Sequence, residues 1–384
     1  MMELSKETLQ TNKLFEDLYD GKQPRRIPIV STADNAFCLE YAGFNLKTEQ
    51  YSVDENLEAI RKATADFDCD AVFALYARFP HLYKILGSTN FVPGADGFLQ
   101  HPEVCGLEVD EYDEFIEDPL KTIWDKVLPR IHKEIGKGGF EGQKAVSKAY
   151  HSFYETMGKI GMASMQMANE LGRSTYSFVG AISSTPFDVL SDQLRSFTGI
   201  SADVRRRPEK VEAAAAALLP LALKAGILPH SNHYNRTFIP LHMGPYLREK
   251  DFARLYWPSF KAYVEGLDKA GVGANIFVEQ DWMRYLDYLN ELPQNTTFMF
   301  EYGDPAVIKE KLGTRHILTG LYPLGILKTH TKQECIDQAK FLIDKLAPGG
   351  RYAFGFDKCL LRLNDVNVDN LKAVLSFVKE YGKY

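Results

Sequence analysis

Residues 237–244 read TFIPLHMG, a strand-like stretch that is largely apolar through Leu241 and then ends on a histidine and a glycine. A strand with one wet face alternates apolar and polar residues, whereas one covered on both faces reads as a nearly continuous apolar run. The same plan recurs seven more times. RIPIVSTAD (26–34), CDAVFALYA (69–77) and TYSFVGAI (175–182) come before it. ANIFVEQD (274–281), TTFMFEYGD (296–304), RHILTGLYP (315–323) and RYAFGFDKC (351–359) come after. Each is apolar at first and turns polar at its C-terminal end.

The segments between them carry helix punctuation. Thr185 and Pro186 open STPFDVLSDQLR, with Asp188 near the helix N-terminus. Pro208 opens PEKVEAAAAALLPLALKAG, Gly226 stops it, and Pro220 inside it predicts a kink. Asp304 and Pro305 open a helix that Gly313 closes. Thr331 and Glu334 form a capping box, and Asn367 can cap the last helix. Eight such strands with helices between them predict a (β/α)8 TIM barrel with an N-terminal helical extension. A doubly wound open sheet fits the same periodicity. Residues 78–174 exceed a minimal barrel and read as a helical insertion between the second and third strands. No linker, repeat or low-complexity tract divides residues 1–384, so one domain is expected.

Bulk composition narrows the function classes. With 45% hydrophobic residues and 12% aromatic, the chain can bury a large core. A net charge of -6 without a basic stripe speaks against a nucleic-acid partner. The start is polar, and the apolar run 213–223 is too short for a bilayer, so no membrane role is expected. Five widely spaced cysteines look like reduced thiols of a cytoplasmic protein.

In a barrel of this kind, chemistry collects where strands end. Those positions hold Asp34, Tyr76, Arg78, Ser183, Ser184, His242, Glu279, Asp281, Glu301, Asp304, Tyr322, Asp357 and Cys359. His242, Glu279 and Glu301 are the candidate catalytic residues; with Cys359 they are also the candidate metal ligands, because zinc accepts nitrogen, sulfur and carboxylate oxygen. Each has a structural alternative: His242 as a strand cap, Cys359 as a small buried apolar group, Glu301 in an ion pair. A carboxylate straight after IFV is harder to explain away, since burying it unpaired is costly. Asp34, Tyr76, Tyr234 and Tyr322 are candidate pocket residues. His316 begins a strand and belongs to the opposite end; His230 and His233 precede the fourth strand and should be surface groups. GKGGFEG (136–142) lacks the third glycine of a dinucleotide loop.

Taken together, EYDEFIEDP, PFDVLSDQLR, DVRRRPEKV, FIPLHMG, FARLYWPSFKAYVEGLDKAG, FVEQDW and DNLKAVLSFVKEYGKY resemble, in order and over nearly the whole chain, the uroporphyrinogen decarboxylase superfamily. Within it the chain is most similar to the corrinoid-dependent methyltransferases of anaerobes. That resemblance implies a TIM barrel and methyl transfer. The decarboxylase carries an arginine-bearing M-R-Q-A-G-R segment after its first strand; here no arginine occurs between Arg26 and Arg61, and Asp34 and Glu40 would repel a substrate of many carboxylates. The methyltransferases commonly bind zinc through H-x-C and a later cysteine. This chain keeps His242, puts Gly244 in the cysteine's place and offers Cys359 as the later one.

A histidine–carboxylate site suits an oxygen leaving group better than a thiol. The expectation is therefore an O-demethylating methyltransferase. It would pass a methyl group from a methoxylated aromatic, or a related small donor, to Co(I) of a corrinoid (cobalamin) on a separate protein, with zinc as candidate cofactor. No D-x-H-x-x-G corrinoid-ligand motif is present, so the corrinoid must arrive on a partner. Methyl transfer to a thiol or folate, a tetrapyrrole decarboxylase and a non-catalytic corrinoid-protein binder are the alternatives; a homodimer is left open.

Overall fold

A computed structural model describes residues 3–30, 32–75 and 78–384. Nine short strands occur among them, β1 (Ala33–Asp34), β2 (Ala74–Leu75), β3 (Val92–Pro93), β4 (Leu99–Gln100), β5 (Ala181–Ile182), β6 (Thr237–Leu241), β7 (Ala274–Val278), β8 (Thr297–Phe300) and β9 (Ile317–Gly320). Strands β5 to β9 form one parallel sheet in sequential order. Every residue of β8 and β9 is buried, as the two-sided apolar runs require. A doubly wound sheet would reverse its strand order at a switch point; this one does not.

Parallel bridges continue the pairing beyond β9. Leu318 pairs with Tyr352 and Tyr322 with Phe356; Ile29 pairs with Phe354 and Ala33 with Leu360. β1 then pairs with β2 in parallel. Between β2 and β5 no ladder is found among the described residues; one backbone bond, from the Ser174 N–H to the Asp70 carbonyl at 2.7 Å, links their approaches. The expected strands of eight or nine residues are thus shorter than their apolar runs. Left-handed backbone at Gly320, Leu321 and Arg351 interrupts regular pairing on the β9 side.

Helices flank the sheet. Helix Lys6–Tyr19, capped by Ser5, packs Phe15, Leu18 and Tyr19 against Phe178, Met299, Ile317 and Ala353 near the strand starts. Residues 78–174 are mainly helical, ending in the 32-residue helix Gly139–Glu170. The reading of this segment as helical missed the antiparallel β3–β4 hairpin, whose turn is built on Gly94, Asp96 and Gly97. Helix Pro208–Gly226 holds Pro220 within it. No helix among the described residues is long and apolar enough to cross a membrane.

Candidate active site

Register sets the level of the site. Leu241 pairs with Val278, Val278 with Phe300 and Phe300 with Gly320. His242, Glu279 and Glu301 are the next residues along β6, β7 and β8, so they stand side by side at the strand ends. Leu241, Val278 and Phe300 are fully buried, which anchors the three positions from below.

His242 is held from both sides. Its Nε2 lies 3.1 Å from Glu279 Oε2, and its Nδ1 is in close contact with Asp192 Oδ2. Burial alone would lower the imidazole pKa, but hydrogen bonds to Asp192 and Glu279 outweigh it and the value is pushed up to about 11. The ring is an imidazolium at neutral pH, with both N–H groups donating. Asp192 sits in a wide turn, Val189–Arg195, continuing the short helix Pro186–Asp188; such turns recur at functional sites.

Asp188 fixes the backbone beneath. Fully buried, its Oδ1 accepts from the Met243 N–H at 3.0 Å and the His242 N–H at 3.4 Å. Its Oδ2 accepts from the Tyr256 hydroxyl at 2.5 Å and the Thr185 hydroxyl at 2.9 Å. Burial, followed by the charge of Asp192, pushes the Asp188 pKa up to about 6. Sequence reasoning placed Asp188 only as a helix-start residue and did not single out Asp192. The signal was the D-x-x-x-D spacing of 188 and 192 directly after a strand end, which puts both on one helical face.

Glu301 supports rather than joins this pair. Its Oε2 accepts from the Gln280 N–H at 2.8 Å, where Gln280 has a φ of 65°, and its Oε1 lies 3.5 Å from Lys358. It therefore stabilises the turn that carries Glu279. Cys359 belongs to another corner: burial, and then the charge of Asp34, raise its thiol pKa well above the ordinary range. Among the described residues no group of three or more His, Cys, Asp or Glu is arranged to hold a metal ion. Both ring nitrogens of His242 are taken by carboxylates and Glu301 is turned to a backbone amide, so the four expected ligands do not converge on one point. Gly244 adds a reason. A Cβ there would lie 2.4 Å from the ring of Trp282, so a cysteine at position 244 has no room.

The remaining candidates divide. Asp34 caps helix Asn35–Ala42 and pairs with Arg78 at 3.0 Å, beside a crevice also lined by Gln50, Phe98 and Leu99. Tyr76 lies outside the described residues. Tyr322 is a correction: it is fully buried, its hydroxyl donates to the Cys335 carbonyl at 2.9 Å, and it packs on Phe354 and Phe356. Tyr234 is another: it precedes β6, bonds Asp20 at 3.2 Å and packs on Tyr176, at the end of the sheet away from His242. Asp281 and Asp304 bond local backbone amides, and Asp357 accepts from Leu324. His316 is buried at the start of β9, where burial pushes its pKa down to about 4. A residue missed entirely is His101, next after β4. It stacks on Phe91 at 4.4 Å and lies within electrostatic reach of Asp192, His242 and Arg78.

A cavity of about 130 Å³ lies at the other end of the sheet, lined by His233, Arg236, Asp268, Val272 and Gln294 among others. None of the strand-end candidates lines it.

No protein-family profile and no curated protein sequence matches the chain. Among solved structures, a methyltransferase from Methanosarcina mazei superposes with a TM-score of 0.63 at 14% identity, covering 97% of this chain and 99% of that one. The two share a fold over essentially their whole lengths.

Proposed function

We propose that this chain is a methyltransferase that removes the methyl group of an aryl methyl ether, or a similar small oxygen-bound methyl donor, and delivers it to a corrinoid on a separate protein. The parallel pairing then reads as a closed (β/α)8 barrel of the uroporphyrinogen decarboxylase superfamily, with a helical insertion at 78–174. Likeness of fold to a methyltransferase supports the class. The observation that carries the chemistry is the placement of His242 between Asp192 and Glu279, which favours the protonated ring.

A phenolate leaves poorly unless its developing charge is taken up. The Glu279 contact is the longer of the two and Glu279 is the more exposed carboxylate, so the substrate oxygen enters there and takes over the Nε2 proton. Asp192 keeps the ring oriented throughout. As the methyl–oxygen bond breaks, its electron pair moves onto oxygen and the Nε2 proton follows. The partner's Co(I) supplies the electron pair that bonds the methyl carbon. No step needs zinc, and the crowding of Gly244 by Trp282 disfavours a thiol-activating site.

The test is anaerobic demethylation of guaiacol with a reduced corrinoid protein or free cob(I)alamin as acceptor. His242→Ala should lower kcat by about 10²–10⁴-fold, the usual range for an acid catalyst. If catechol release is equal in the variant and the parent, the assignment of the acid is wrong.

A further inference from the structure

The helix Gly139–Glu170 buries Ala145, Ala149, Thr156, Met167 and Ala168 on its inward face. Amphipathic logic then expects a polar outer face. Instead Tyr150 is 65% exposed and Met162 71% exposed, and Tyr154 and Met165 are exposed beside them. The two tyrosine rings lie 4.5 Å apart. At 3.6 residues per turn these four side chains share an arc of roughly 120° with Gly158 and Gly161.

The glycines are the unexpected part. Each costs roughly 1 kcal/mol against alanine in a helix interior, and a Cβ on either would meet nothing within 4 Å. No neighbour within the chain requires them. A bare stretch of backbone between two apolar pairs is what a second helix needs in order to cross closely.

We propose that this face pairs with the same face of a second copy of the chain, as two antiparallel helices crossing at Gly158 and Gly161. The pattern is self-complementary. Tyr154 and Met162 stand equally far on either side of Gly158, and Tyr150 and Met165 nearly so. A two-fold axis through Gly158 therefore sets the tyrosines of one copy against the methionines of the other, a favourable sulfur–aromatic contact. The four side chains expose on the order of 500 Å² per copy, the larger part of the ~800 Å² per partner of a stable dimer. Glu155 and Lys159 at the rim are 3.6 Å apart and carry opposite charges, so two copies meet no like-charge barrier. A partner of another kind would have no reason to match this internal symmetry.

Sedimentation of the full chain at micromolar concentration tests this. The expected mass is twice 43.5 kDa. Gly158→Glu should weaken the dimer at least about 100-fold by placing two carboxylates on the axis, while leaving the melting temperature of the monomer at or above the parent's, since glutamate favours helix more than glycine does. Gly158→Cys treated with diamide should give a covalent dimer, whereas Lys137→Cys, outside the stripe, should not. A monomeric parent overturns the proposal. So does a dimer that Gly158→Glu leaves intact, or one that Gly158→Cys fails to cross-link.

Discussion

At the scale of single residues, the site rests on one charge arrangement. An imidazolium bracketed by two carboxylates has its pKa raised, here to about 11. The sign follows from linkage. Below the ordinary histidine value near ~6.5 the ring is protonated in folded and unfolded chains alike and its stabilising contribution is complete; it fades as pH rises through about 11. Asp192→Asn removes the closer carboxylate, so the proton is released at lower pH. The alkaline limb of kcat/KM should move down by at least about one pH unit, with binding of the ether little changed. A profile that keeps its alkaline limb in the variant would separate Asp192 from the acid. His242 stood out in the sequence as a histidine at a strand end, with a strand cap as its structural alternative. Asp192 did not, because its approach depends on a wide helical turn that periodicity does not reveal. Tyr322 and Tyr234 misled for a plain reason: a tyrosine near a strand terminus can satisfy its hydroxyl on a carbonyl or carboxylate, as both do here, with the Tyr322 ring fully buried and the Tyr234 ring partly so.

At the scale of elements, β6 and β7 place His242 beside Glu279, and the turns after them keep the contact. Trp282 is fully buried, its indole N–H donates to the Glu279 carbonyl at 2.8 Å, and its ring faces Gly244. A cysteine placed at position 244 is therefore not expected to complete a metal site. Gly244→Cys should force the indole aside, destabilise by about 1–3 kcal/mol as overpacking does, and lower the melting temperature by a few degrees without stoichiometric zinc uptake. Calorimetry and metal analysis on the same preparation read both effects; a stable variant holding one zinc per chain would reverse the reading of this corner. The cap at the start of the helix carrying Asp188 is a second handle. Thr185 accepts from the Asp188 N–H at 3.1 Å and donates to its carboxylate. Thr185→Val should cost about 1–2 kcal/mol of stability, measured by denaturant unfolding, and should slow methyl transfer only through the position of His242. The strand segments were readable from their apolar runs, and their parallel, sequential order from the helices between them. The β3–β4 hairpin was not, because two-residue strands carry no periodic signal, and it is the hairpin that brings His101 to the site.

At the scale of the whole molecule, the two ends of the parallel sheet are built differently. His242, Glu279 and Glu301 lie at the strand ends, whereas Phe15, Leu18 and Tyr19 of helix Lys6–Tyr19 close the strand starts. Arg236 ties that helix down: its guanidinium lies 4.5 Å over the Tyr19 ring and donates to the Asn295 carbonyl at 2.7 Å. Burial pushes the Arg236 pKa down to about 10, so it stays charged at neutral pH. If stability and catalysis are divided in this way, a core deletion under the helix should affect one and spare the other. Phe15→Ala removes a side chain that is 1% exposed, and a buried phenylalanine lost to a cavity costs about 3–5 kcal/mol. Against a net stability of roughly 5–15 kcal/mol, that lowers the unfolding midpoint sharply but leaves a folded population at 20 °C. In that population kcat and KM for the methyl donor should match the parent, because no bond of the His242 cluster runs through the helix. Loss of turnover per folded molecule, counted by active-site titration after correcting for the unfolded fraction, would mean that the two ends are coupled through the sheet and that the N-terminal helix helps set the geometry of the acid.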